Sequence, residues 1–294
     1  MHNDTKNNNS TYILRSGMHN VANNPFTTLA NQPDEQIGLL RAALSIAADT
    51  YPGLDADKYM VQIKQWVKDI SQQLPEDADI KTRLNVLNRF LFEQLGFSGN
   101  TTDYYDPRNS YINEVLDRRQ GIPITLSVIY IELGKRLGLN MSGISFPGHF
   151  LVKLPCAEGE VVLDPFNGGI SLSEQDLTDR LENLLDVEVD NLGPFLQPAS
   201  NKDILIRMLS NLKTIYHHRG DAERTLELIN KILLLDPQRS DEYRERGLLL
   251  TSLECFHSAL SDLRRYHDSS PGSDASETVR DLIIRLQHKH HYLH

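Results

Sequence analysis

From Asp34 onward, apolar residues recur at helical spacing. Ile37, Leu40, Ala43, Leu44 and Ala47 share one face, and the acidic pair Asp34 and Glu35 suits a helix start. Pro52-Gly53 ends this helix. A second is predicted from about Asp57, with Tyr59, Ile63, Trp66, Val67 and Ile70 inward, and a third holds Leu84, Leu87, Leu91 and Leu95 before stopping at Gly96. Residues 34–100 therefore read as a helical lobe. Residues 1–33, rich in Asn, Thr and Ser, show no sustained period and are expected to be disordered.

Beyond Asp106-Pro107 a short helix is predicted with Ser110 as N-cap. Ile112, Val115, Leu116 and Arg119 lie on one face, and Gly121 is placed to break it. Pro123 suits the first turn of the next helix, where its missing N–H costs little. That helix is apolar nearly all round, from Ile124 through Leu133, so it should be buried on most sides. The period then changes to two. "SGISFPGHFLVKL" and "EVVLDPF" read as a hairpin joined through "PCAEGE", and "SLSEQDLTDRLENLL" returns to helix with Ser173 as its cap. Helix, strands and helix again give an α+β domain.

The final ninety or so residues carry a repeat. Tyr216, Thr225, Ile229, Ile232 and Pro237 recur 34 positions later as Leu250, Ala259, Leu263, Tyr266 and Pro271, and Lys213 is matched by Gly247. This is the tetratricopeptide period, in which each unit is a helix pair. "ASETVRDLIIRLQ" supplies an amphipathic capping helix with Val279, Leu282, Ile283 and Leu286 inward.

Composition narrows the function classes. A length of 294 residues suggests two domains, and a net charge of -10 argues against nonspecific nucleic-acid or anionic-membrane binding. The longest apolar run is interrupted by Thr125, Ser127 and Glu132 and is shorter than a bilayer span, and the polar start of the chain has no secretory apolar core. Two cysteines, Cys156 and Cys255, fit a reducing cytoplasm. No metal-ligand spacing or phosphate-cradling glycine loop is present, so no metal or cofactor is expected. The "HKHHYLH" tail reads as a flexible polar end.

His149 and Asp164 are the candidate chemistry. If both strands include them, they become same-face neighbours only when the hairpin loop holds an even number of residues. The carboxylate would then fix the imidazole tautomer and hold it more basic, as in a Cys-His-Asp site.

"YYDPRNSYINEVLDRRQGIPITLSVIYIELGKRLGL", "FPGHFLVKL" and "LDPFNGG", preceded by the helical lobe and followed by the repeats, closely resemble the SirB family from about residue 34 to 290. The resemblance implies an α+β fold with a papain/transglutaminase-like core over 34–198, helical lobe included, and an all-α TPR-like module over 199–294. In active members of the wider superfamily a Cys starts the core helix, and a His and an Asp follow on successive strands. By motif, His149 and Asp164 stand at the His and Asp positions, and Pro123 (or Ile122) stands where the Cys belongs. Cys156 lies in the hairpin loop and reads as an exposed thiol. Thr125 could bring a hydroxyl towards His149 but reads more simply as a cap, and Ser127 as a helix-packing hydroxyl. Asn109, Ser110, Asn113, Glu114 and Arg118 belong to the family motif and are candidates to line the cleft with Pro123. The resulting expectation is a noncatalytic protein-interaction or regulatory protein with a protein or peptide partner. Its alternative is an atypical hydrolase or acyltransferase using a His149–Asp164 dyad.

Overall fold

The computed structural model of the chain describes residues 25–157, 159–269 and 274–291. The chain divides into two compact units. One is residues 32–208; the other joins residues 209–294 to the segment up to Asn31. The division falls inside the helix Asn201–His218.

In the first unit, α2 (Leu39–Ala47) and α3 (Ala56–Ser71) bury the faces their spacing predicts, including Leu40, Leu44, Ile63, Trp66 and Ile70. Asp34 does not start α2. It lies in a 3-10 turn, Asp34–Gln36, and its carboxylate accepts from the backbone N–H groups of Asn201 and Lys202 at 2.9 and 2.8 Å. It thus caps the helix Asn201–His218, α8, rather than its own neighbour. The third predicted helix is α4 (Ile80–Asn88) continued by a π turn, Arg89–Gln94. The wider turn moves the buried stripe to Val86, Leu87, Phe90 and Leu91, leaving Leu84 and Leu95 half-buried.

Two-residue strands β1 (Ser98–Gly99) and β2 (Gln120–Gly121) pair in parallel across α5 (Ile112–Arg118). Ser110 is not the N-cap of α5. Tyr111 occupies that place, and the Ser110 hydroxyl is enclosed without a hydrogen-bond partner among the described residues. Nor does Gly121 end α5. Arg119 does so, in the left-handed conformation at φ 61°, while Gly121 provides room: a Cβ there would lie 2.7 Å from Thr125 Oγ1 and 2.9 Å from Val115 Cγ1.

Helix α6 (Pro123–Arg136) is the core element. Leu126, Val128, Ile129, Tyr130 and Leu133 are fully enclosed, because α6 packs on α2, α3 and α4, on strands β3 (Ser142–Ile144) and β4 (Leu151–Cys156), and on a turn at Pro165–Asn167. The sheet has antiparallel order β3-β4-β5-β6, with β5 at Gly159–Asp164 and β6 at Ile170–Leu172. Ser173 caps α7 (Glu174–Leu185) in a reciprocal box with Asp176.

In the second unit, α9 (Ala222–Leu235), α10 (Ser240–Ser252), α11 (Phe256–Ser269) and α12 (Asp274–His291) follow the repeat pattern. Leu226, Ile229, Leu250, Ala259, Leu263, Tyr266, Val279, Ile283 and Leu286 share one core. Gly247 lets two helices approach, since a Cβ would lie 2.7 Å from Leu263. Lys213, its counterpart one repeat earlier, pairs with Glu242 at 2.7 Å and with Glu245 at 2.6 Å. Two expectations about the ends change. Residues 1–24 lie outside the described residues, but Pro25–Ala30 is a helix, α1, with Phe26 and Ala30 buried four positions apart. Its polar surroundings are too short a context to reveal a period. Likewise, α12 carries helix through His291, well into the histidine-rich stretch.

Candidate functional site

His149 stands just ahead of β4 rather than within it. A turn through Pro147 and Gly148, the latter at φ +67°, brings the His149 N–H to Phe146 O at 3.1 Å. Across the hairpin, Cys156 pairs with Gly159, leaving two residues in the loop, and Val152 pairs with Leu163. One step further along that register sets Asp164 opposite Leu151, and His149, two residues before Leu151, shares the same face. The even loop meets the condition for their encounter. His149 Nε2 lies 2.8 Å from Asp164 Oδ1.

The carboxylate is not reserved for the imidazole. Asp164 Oδ2 accepts from Asn167 Nδ2 at 2.8 Å and from Arg180 Nη1 at 3.0 Å, tying the end of β5 to α7. Burial alone would raise this carboxyl. The hydrogen bond and charge of His149, with the bonds from Asn167 and Arg180, outweigh it and hold Asp164 at about 2. Asp164 is fully enclosed, whereas the His149 side chain remains 17% exposed. The His149 carbonyl accepts from Arg207 Nη2 at 2.7 Å, so the turn is held from its backbone as well.

An aromatic wall flanks the imidazole. The rings of His149 and Phe166 meet edge to face with centroids 5.8 Å apart, and Tyr104 approaches Phe166 at 6.4 Å. Phe166 lies over Gly99, where a Cβ would come within 2.5 Å of the ring. Gly99 pairs with Gly121, one residue before the N-cap of α6, so Phe166 links the dyad to the strand pair that feeds the core helix. Sequence reasoning assigned no site role to Asn167, Arg180, Tyr104 or Arg207. Of these, Arg207 left a signal, as a lone charge in the apolar run "ILIRML".

At the start of α6, Ile122 is the N-cap and Pro123 the first helical residue, and both are buried. Thr125 Oγ1 accepts from the Ile122 N–H at 3.1 Å and lies 2.8 Å from Asn109 O, so its hydroxyl acts as cap and loop anchor. Ser127 Oγ is enclosed one turn on. Asn109 is fully buried and organises the preceding loop, donating to Asp103 O at 2.7 Å and accepting from Asn100 Nδ2 at 3.1 Å. Ser110 and Asn113 are also buried, which sets them inside the wall rather than on an open cleft. Glu114 and Arg118 are half-buried on α5, with Arg118 3.8 Å from Asp106.

Cys156 is at the far tip of the hairpin, its Sγ 3.4 Å from Gly159 O. Five residues of strand from Leu151 amount to roughly 16 Å. Its thiol therefore lies at the opposite end of β4 from the His149–Asp164 pair. The arrangement can orient an imidazole and offer it to solvent. Near the helix start the Thr125 hydroxyl is committed to Ile122 and Asn109, whereas the enclosed Ser110 and Ser127 hydroxyls have no hydrogen-bond partner among the described residues. Among the described residues, no group of three or more His, Cys, Asp or Glu could hold a metal ion, and no helix is long and apolar enough to cross a membrane.

Comparison with known proteins agrees with this architecture. The family model for the transglutaminase-like superfamily matches residues 57–210, and a tetratricopeptide-repeat model matches residues 212–284. A UPF0162 protein of Xylella fastidiosa is 39% identical over 267 residues, covering 90% of this chain and 95% of the relative. UPF0162 protein YchA of Escherichia coli K12 is 28% identical, covering 87% and 94%. Protein SirB1 of Salmonella typhimurium is 28% identical, covering 77% and 83%. No solved structure matches. With its α+β core, its C-terminal repeats and relatives of both names that match over most of its length, the chain belongs to the SirB/UPF0162 family of transglutaminase-like proteins.

Proposed function

We propose that this protein works by binding a protein or peptide and not by covalent chemistry: a pseudoenzyme whose core keeps the frame of a transglutaminase-like site. The observation carrying this reading is the start of α6. There Pro123 is the first helical residue, where the family resemblance implies the superfamily's nucleophile would stand, and the hydroxyl of Thr125 is engaged with Ile122 and Asn109. The His149–Asp164 pair then serves as a structural clamp. Asp164 is also held by Asn167 and Arg180, so the same carboxylate that meets the imidazole ties the end of β5 to α7. Tetratricopeptide repeats generally mediate protein–protein interactions, which supports a protein partner. We place the protein in the cytoplasm, where its free cysteines Cys156 and Cys255 would stay reduced.

One observation favours a second reading. The His149 ring is oriented by a carboxylate and partly open to solvent, the minimum for a base that activates water. Amine-incorporation and peptide-hydrolysis assays on the full chain separate the two readings. The binding reading expects no turnover above a buffer blank and no difference in His149→Ala. Turnover that disappears in a normally folded His149→Ala variant would overturn it.

A further inference from the structure

Helix α9 is buried on two opposite faces. Leu226, Ile229 and Leu233 join the core of the repeat module. Leu228, Lys231 and Leu235, spaced three and four apart around the other side, are also buried. α1 packs against α9, with the ammonium of Lys231 5.5 Å from the centroid of the Phe26 ring. Lys231 is only 7% exposed and Phe26 1%. A lysine so enclosed, with an aromatic face before its charge, is a specific receptacle for an aromatic side chain.

What fills it is modest. α1 has six residues, too few for a stable helix on its own, and of its side chains Phe26 and Ala30 are buried while Thr28 is exposed. This is the helix-in-groove mode of peptide recognition with anchors at i and i+4, carried out within one chain. We infer that the Lys231 face of α9 is a docking site for a short protein helix bearing an aromatic residue and a small apolar residue four positions later, occupied in the resting chain by Pro25–Ala30. A partner helix of the same pattern takes the site by displacing α1. The cis segment has the advantage of high local concentration, so a partner must exceed its anchoring to compete. This inference rests on the protein-binding reading and names its surface and the chemistry of its ligand.

The test uses the full chain and a fluorescein-labelled peptide of residues 22–33, followed by polarisation. The Phe26→Ala chain, its receptacle vacated, is expected to bind the peptide at least tenfold more tightly than the unaltered chain, and a peptide with the same substitution is expected not to bind. Equal binding to both chains, or binding indifferent to the peptide's own Phe, overturns the proposal. Should Phe26→Ala fail to fold, the unaltered chain supplies the answer. Excess unlabelled peptide should accelerate hydrogen exchange over residues 25–31, and unchanged exchange at saturating peptide overturns the proposal equally. A peptide that is ignored while no turnover exists removes this site alone. His149-dependent turnover removes the wider reading.

Discussion

With one oxygen on His149 and the other shared by Asn167 and Arg180, the Asp164 carboxylate joins a turn, a strand end and a helix that are separated in sequence. Removing its charge leaves Arg180 facing a weaker acceptor. Asp164→Asn should cost on the order of 2–4 kcal/mol, reduced from the fully buried case because Arg180 is about one-third exposed. Denaturant titration measures it. The pH dependence follows from a folded value of about 2 against an ordinary 3.8. A lowered carboxyl contributes stability that is fully present above about pH 4 and lost as pH falls towards 2. That contribution is on the order of 2 kcal/mol, and Asp164→Asn should flatten the corresponding part of the acid limb. Hairpin parity set the condition for His149 and Asp164 to meet, but the sequence left the loop's register open, and the two-residue loop of the structure meets it. Arg180 was not legible, because its spacing on α7, one residue before Leu181, marks only a position beside the apolar stripe.

The elements near the site hold one another by close approach. Gly99→Ala would drive a Cβ into the Phe166 ring and so disturb the edge contact that shields His149. A loss of about 1–3 kcal/mol is expected from such overpacking, together with faster modification of His149 by diethyl pyrocarbonate. Unchanged reactivity would show that Phe166 does not shield the ring. Such approaches are hard to read from sequence, since Gly99 and Gly121 look like ordinary turn residues until their partners are known. The repeat was easier. Gly247 falls at a fixed interval, and its closeness to Leu263 is what that interval implies. The π turn after Asn88 was invisible because the leucine spacing continues through it, while a widened turn changes which leucines face inward.

At the scale of the molecule, the chain divides into two compact units, and residues between Leu226 and Leu286 form a hydrophobic core within one of them, which makes more than one unfolding transition the natural expectation. Calorimetry should resolve them, and the acid response should sort them. Lowering the pH from 7 to 3 should depress the transition of residues 32–208, which contain Asp164, more than that of the repeat unit, and Asp164→Asn should narrow the difference. A single transition moving as one would refute this. The order of elements and the repeat were open to sequence reasoning because each depends on local period. The attachment of Pro25–Ala30 to the repeats was not, because nothing local ties Phe26 to Lys231. Asp34 presents the same case, capping a helix 167 residues away. During synthesis on the ribosome, both Asp34 and Phe26 emerge long before Asn201 and Lys231 exist. The nascent chain must therefore carry those residues unmatched for most of its elongation. The unit of residues 32–208 cannot complete its native contacts until synthesis enters the final third, and the repeat unit waits for that third to be made.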